Sequence, residues 1–223
     1  MKRIISPSLL SADFSKLDQQ IDIVKKAGAK RLHIDCMDGH FVPNFTFGPF
    51  ILKAIRKLTD LHLETHLMIE NPSKYFDDFI NAGADTLIFH HEASDNVLDD
   101  LNYIKNKNVK CGIALKPETS YKVLEKYIDI LDYILIMSVS PGFGGQGFID
   151  DTLIKMQSIV EMCINAKRRD KIILGVDGGV NLSTISKVYD TGIDVTVVGS
   201  GLYKANDIIK RFKELENQKW FNI

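Results

Sequence analysis

No stretch of the sequence stays apolar for the roughly 20 residues that a membrane-spanning helix needs. The opening MKRIISPSLL is no closer to a signal peptide, because Ser6 and Pro7 interrupt its apolar part. A soluble, cytoplasmic protein without a membrane partner is the expectation. Cysteine is scarce: Cys36, Cys111 and Cys163 are odd in number, widely spaced and set among apolar neighbours, which excludes a disulfide framework and fits reduced thiols. Neither sign of charge dominates, since 28 basic and 29 acidic residues leave a formal charge of -1. That balance excludes field-driven attraction to nucleic acid or anionic membranes and leaves a small molecule as the expected partner. Gly/Ser linkers, low-complexity tracts and charge runs are missing too, so nothing marks a boundary within residues 1–223. A chain of this length with 45% hydrophobic residues can bury one substantial core.

What is present is an alternation. Short runs rich in Ile, Val and Leu recur, each followed by a longer amphipathic stretch, which is the pattern of repeated βα units. Eight strands are expected: Ile4–Leu10, Arg31–Met37, His62–Ile69, Thr86–His91, Lys110–Lys116, Tyr133–Val139, Lys171–Asp177 and Val195–Ser200. Their near-continuous apolar character suits parallel strands buried on both faces. Phe14–Lys26, Pro72–Asn81, Asp151–Ala166 and Asp207–Leu215 carry apolar residues at helical spacing. Gly28, Gly83 and Gly192 stand at three helix-to-strand junctions, where a glycine in the left-handed conformation can end a helix. The expected architecture is a single (β/α)8 barrel closed by pairing the first and last strands, with an open doubly wound sheet as the alternative.

In a barrel, functional groups belong at the C-terminal ends of strands. His33, Asp35 and Met37 are spaced two apart and share one face of the second strand, with Leu32, Ile34 and Cys36 on the other. Glu64, His66 and Met68 repeat the arrangement on the third strand, and the seventh ends in Asp177, Gly178 and Gly179. The imidazoles of His33 and His66 with the carboxylates of Asp35 and Asp177 form a ligand set for one divalent ion, with zinc, iron, manganese and cobalt all compatible. Taken singly, each histidine could be a hydrogen-bonded core residue and Asp35 a loop cap; joint placement at strand ends favours the metal. Three glycine-bearing loops, Pro141 to Gln146, Asp177 to Gly179 and Gly199-Ser200, follow the last three strands, where backbone amides can approach a phosphate.

The chain resembles the ribulose-phosphate 3-epimerase family over nearly its whole length. The resemblance is carried by Ser6-Pro7-Ser8-Leu9-Leu10-Ser11-Ala12-Asp13, by His33-Ile34-Asp35-Cys36-Met37-Asp38-Gly39-His40-Phe41-Val42-Pro43-Asn44 and Thr46-Phe47-Gly48, and by His66-Leu67-Met68. Met137-Ser138-Val139-Ser140-Pro141-Gly142-Phe143-Gly144-Gly145-Gln146 and Val176-Asp177-Gly178-Gly179-Val180 complete it. The resemblance implies a metal-dependent isomerase of pentose phosphate metabolism, inverting C3 of ribulose 5-phosphate through an enediolate. It implies that His33, Asp35, His66 and Asp177 bind the metal and that Asp35 and Asp177 also transfer the proton. By the same resemblance Ser8 and His66 touch substrate, and Gly142, Phe143, Gly144, Gly145, Gly178, Gly179, Gly199 and Ser200 hold its phosphate end. Met37, Met68 and Met137 would pack beside the reacting carbons; without the resemblance each reads as core filling. A homo-oligomer is expected.

Two departures are visible. Gly175 stands two residues before Asp177, where many members have a nearby carboxylate, and Ser140 replaces the more familiar Asn or Glu before Pro141. The same motifs occur in allulose 6-phosphate 3-epimerase, which is the enzymatic alternative; a sugar-phosphate binding barrel is the non-enzymatic one. A decarboxylase or aldolase of related type carries Asp-x-Lys-x-x-Asp on a strand, whereas Met37 stands two residues after Asp35. Lys116 reads as structural rather than as a Schiff-base nucleophile. Of the adjacent His90 and His91, at most one can enter the barrel mouth, and the pair with Glu92 receives no functional role. His40 and His62 read as loop or surface residues. Trp220 and Phe221 could pack against the barrel or against a second subunit.

Overall fold

Strand register carries most of the architecture, as a computed structural model describing residues 3–218 shows. Eight parallel strands, β1 (Ile4–Pro7), β2 (Arg31–Met37), β3 (His62–Met68), β4 (Thr86–His90), β5 (Lys110–Leu115), β6 (Tyr133–Met137), β7 (Ile173–Asp177) and β8 (Val195–Val198), form one sheet. Each of β2 to β8 pairs with its sequence neighbour, and β1 pairs with β8, from Ile4 opposite Val195 to Pro7 opposite Val198. A single parallel bridge, Ser8 to His33, joins β1 to β2 and completes the ring. The barrel is therefore the right reading, and the open sheet is not.

Alternation along each strand separates two cores. Leu32, Ile34 and Cys36 of β2, Leu63 and Leu67 of β3 and Leu87 and Phe89 of β4 point outward into the large cluster shared with the helices. That cluster is covered by α1 (Leu17–Ala27), α2 (Pro49–Leu58), α3 (Phe76–Ala82), α4 (Val97–Asn106), α5 (Thr152–Asn165), α6 (Ile185–Asp190), α7 (Ser200–Tyr203) and α8 (Ile208–Glu216). Inside the ring, Ile88, Ala114, Tyr133, Leu135, Met137, Val139 and Val197 fill one side with apolar atoms. Buried Ser6, His33, Asp35, Glu64, His66 and His90 fill the other side. The interior polar groups thus come mostly from β1 to β4, with Asp177 added from β7.

Gly28, Gly83 and Gly192 take φ of 113°, 105° and 92°, the left-handed endings expected at those junctions. Several strands are shorter than the apolar pattern suggested. β1 stops at Pro7 because the Ser8 hydroxyl accepts from the Leu10 amide and starts a 3-10 turn over Leu9–Ser11. His91 likewise opens a 3-10 turn, Lys116 lies beyond β5, and Ser200 opens α7. The fifth crossover is a 3-10 segment, Tyr121–Lys126, with Ser120 capping it through the Lys122 amide. The three cysteines are buried free thiols. Among the described residues no helix is long and apolar enough to cross a membrane. Trp220 and Phe221 lie outside the described residues.

Candidate active site

β2, β3 and β7 bring four donor atoms to one point at the floor of the barrel mouth. His33 Nε2, His66 Nδ1 and Asp35 Oδ1 are mutually 3.3 Å apart. Asp177 Oδ2 lies 3.8 Å from each of the two imidazole nitrogens. All four atoms fall within 4.8 Å of one another. A tetrahedral centre with bonds of about 2.0–2.1 Å has ligand-to-ligand edges of about 3.3–3.4 Å, which the His33, His66 and Asp35 atoms match, while Asp177 would have to move inward to complete it. The other imidazole nitrogen of His33, Nδ1, has no hydrogen-bond partner within reach although it is buried. It faces the Glu64 carboxylate at 3.7 Å, as the N–H of a ligating imidazole would. The residues present fit a metal.

The histidines and carboxylates hold one another in unequal charge states. Burial alone would raise the Asp35 carboxyl, but His33 and His66 hold it well below the usual carboxylate range. Asp177 has no such compensation: burial and the charge of Asp35 push it up to about 7. Burial works against a charged His33 ring, and the Asp35, Glu64 and Asp177 carboxylates outweigh it, raising its pKa. His66 is pushed down to about 3, first by burial and then by neighbouring His90 and His33.

Behind these donors stands a supporting layer. Ser8 Oγ donates to Asp35 Oδ2 at 2.6 Å, leaving Oδ1 to face the histidines. Glu64 accepts from Ser6 Oγ at 2.6 Å and pairs with Arg31, and these partners with His33 keep it at about 2 against the opposing effect of burial. On the far side of His66, Nε2 meets His90 Nε2 at 2.9 Å, and His90 Nδ1 meets Glu92 Oε2 at 3.1 Å. Met37 N donates to Thr46 Oγ1 at 3.0 Å, and the Thr46 hydroxyl returns to the Asp35 carbonyl, tying the loop after β2 to its strand.

Above the donors opens a cavity of about 220 Å³. Ser8, Asp35, Met37, Met68, Met137, Gly142, Phe143, Gly144, Gly145, Asp177, Gly178, Gly179, Gly199 and Ser200 all line it. His33 and His66 do not; both are fully buried beneath it, in the donor cluster. Asp177 is aimed upward by the glycine pair that follows it. Gly178 and Gly179 have φ of 120° and 63°, and a Cβ on Gly179 would lie 2.5 Å from the Phe148 backbone nitrogen. Ser138 Oγ donates to the carbonyls of Asp177 and Gly178 at 3.0 and 2.6 Å and fixes the bend. At Gly175 a Cβ would meet the Tyr133 hydroxyl at 2.3 Å, so the barrel interior there is filled from β6 and has no room for a carboxylate.

Sequence reasoning passed over several residues. His90 is the histidine of its pair that enters the barrel, as the alternation required, but its contact with His66 depends on β3 and β4 pairing. His91 points away, its ring 6.2 Å from that of Tyr127. His62 is a β3 residue whose Nε2 meets Thr86 Oγ1 at 2.7 Å, while His40 is exposed in the loop after β2. Lys204 also lines the cavity and is its one cationic side chain among the described residues. Lys116 does not line it; its ammonium sits 4.3 Å from the centroid of the Phe41 ring.

Comparison with known proteins agrees with this geometry. Residues 4–203 match the ribulose-phosphate 3 epimerase family. The chain is 44% identical over 215 residues to a ribulose-phosphate 3-epimerase of Bacillus subtilis (strain 168), covering 96% of this chain and 99% of that protein. It is 42% identical to a ribulose-phosphate 3-epimerase of Synechocystis sp. (strain ATCC 27184 / PCC 6803 / Kazusa), covering 97% and 94%. Among solved structures, the 3-hexulose-6-phosphate synthase of Salmonella typhimurium superposes with a TM-score of 0.68 at 19% identity, covering 97% of each chain. That likeness concerns the barrel alone. The length and level of the sequence matches go further: the chain belongs to the ribulose-phosphate 3-epimerase family and is an isomerase.

Proposed function

We propose that the protein interconverts D-ribulose 5-phosphate and D-xylulose 5-phosphate by inverting C3, with one divalent ion held by His33, Asp35, His66 and Asp177. The observation that carries this reading is the pairing of two carboxylates from β2 and β7 in one cavity with their proton affinities driven apart. Inversion next to a carbonyl needs a base on one face of the carbon and an acid on the other. Asp35 is held well below the usual carboxylate range while Asp177 is pushed up to about 7, so the two environments differ in proton affinity, and in turnover one carboxylate would remove the C3 proton while the other returned one. In the reverse direction the two exchange roles. Ser8, donating to Asp35 Oδ2, fixes the plane of the base. A bound divalent ion would supply Lewis-acid stabilisation of the negative charge that develops on the substrate as an enediolate forms. Buried Met37, Met68 and Met137 on the cavity wall keep water from that charge.

The phosphate belongs at the opposite end, against the backbone of Gly142 to Gly145, Gly178, Gly179, Gly199 and Ser200, with Lys204 beside it. A cytoplasmic homo-oligomer is part of the same proposal; exposed Phe45 and Phe50 are apolar surface that assembly would cover, and sedimentation showing only monomer would reject it. The deciding experiment incubates metal-reconstituted protein with ribulose 5-phosphate and, in parallel, allulose 6-phosphate in deuterated water. Faster inversion and C3 exchange with the pentose phosphate is expected. Preference for the hexose phosphate would reassign the substrate, and no exchange with either would leave a binding barrel.

A further inference from the structure

We propose that His90 and Glu92 form a positioning relay that fixes the tautomer and orientation of His66, presenting its Nδ1 lone pair to the metal. This rests on the reading of the four-donor cluster as a metal centre, and it assigns work to two residues outside that cluster.

The chain of contacts leaves one consistent arrangement of protons. Glu92 is anchored through Oε1, which accepts from the Lys116 amide at 2.9 Å and from the Thr119 hydroxyl. Lys155 braces the same loop by donating to the carbonyls of Lys116 and Pro117 at 2.7 and 3.4 Å. The other oxygen, Oε2, lies 3.1 Å from His90 Nδ1, and an ionised carboxylate can only accept, so Nδ1 carries the proton. A neutral His90 then offers a lone pair at Nε2. His66 Nε2, 2.9 Å away, must be the donor in that contact. A neutral His66 with its proton on Nε2 has its lone pair on Nδ1, the atom that stands 3.3 Å from His33 Nε2 and Asp35 Oδ1. All three side chains of the histidine part, His33, His66 and His90, are fully buried, so water does not compete for these contacts. His33 is backed directly by Glu64, and His66 is backed by Glu92 at one remove. His90 also packs on Phe41, with ring centroids 4.8 Å apart, so the competing account is that it is a packing residue only.

The relay and the packing account rank substitutions in opposite order. His90→Phe keeps an aromatic ring against Phe41 but offers His66 no acceptor. His90→Gln has the poorer shape but can accept from His66 and donate to Glu92. Zinc affinity measured by chelator competition should fall about 10–100-fold in His90→Phe and in Glu92→Gln, with His90→Gln recovering most of it. Visible bands of the cobalt-loaded protein should shift in the same two variants. Nitrogen NMR of the histidine rings in the zinc-loaded natural sequence supplies a reading that needs no variant to fold: His90 should carry its proton on Nδ1 and His66 on Nε2. A proton on His90 Nε2, or zinc affinity in His90→Phe equal to that of the unaltered protein, would overturn the relay and leave the metal centre standing. Failure of the unaltered protein to bind zinc or cobalt would overturn both.

Discussion

Asp35 and Asp177 share one cavity but differ in what stands behind them. Asp35 is bracketed by two imidazoles and a serine hydroxyl; Asp177 meets the charge of Asp35 and sits 17% exposed above a glycine bend. Asp177→Asn keeps the shape and removes the exchangeable proton, so inversion should fall by about 10²–10⁴-fold. Turnover measured by coupled assay at unchanged rate would refute the two-base assignment. The pH dependence of metal binding follows from the same residue together with His33. Asp177, titrating at about 7, and His33, whose pKa is raised by the surrounding carboxylates, must each lose a proton to act as ligands, so affinity should weaken as pH falls through 7 and go on strengthening above it until His33 is neutral. Competition titrations at about pH 5.5 and 8 that gave equal affinity would contradict this.

Strands deliver these side chains through register, and two elements set the register at the floor and at the rim. At the floor, Arg31 at the start of β2 pairs with fully buried Glu64 of β3. Arg31→Met would strand that carboxylate in the interior, and a loss of about 3–5 kcal/mol is expected in denaturant unfolding. A loss below about 1 kcal/mol would mean that Ser6 and His33 suffice to hold Glu64, which would place it outside the class of broken buried pairs. At the rim, the bend after β7 depends on Gly179, whose backbone conformation and close approach to Phe148 exclude a side chain. Gly179→Ala should destabilise by about 1–3 kcal/mol and raise the inhibition constant of inorganic phosphate. Unchanged phosphate inhibition would remove this loop from the anion site.

The barrel as a whole has a weak seam. Every neighbouring pair from β2 through β8 is joined by a ladder of three or more partners and β1 is laddered to β8, whereas the backbone pairing of β1 to β2 is the single Ser8–His33 bridge. Opening there breaks few ladder bonds, so it should be the lowest local unfolding step. Hydrogen exchange should show β1 less protected than the β2–β3 pair; equal protection would show that the Ser8–Asp35 hydrogen bond closes the ring as firmly as a ladder. Loss of this seam would release Ser8 from Asp35, so the base proposed above would share whatever protection the seam has.

The eight strands were legible because each is apolar on its outward face whatever its neighbours are, and the barrel followed from their number and the missing boundary. Polar residues at Ser8, His33, Asp35, His66 and Asp177 were legible too, since period-two spacing tells which residues share a face. Strand ends were less so: Ser8 reads as one more strand residue until its hydroxyl is seen capping Leu10. Nothing in the local pattern distinguishes His90 from a core histidine, or Lys204 from any exposed lysine.

By itself, the sequence determined which side chains point into the barrel and which glycines end its helices, because both depend on backbone geometry within a few residues. Only the tertiary structure decided that His33 and His66 lie beneath the cavity rather than on its wall, that Tyr133 fills the space at Gly175, and that Asp35 and Asp177 differ in proton affinity. Those properties arise from burial and from charges on separate strands, and such distances exist only once the ring has closed.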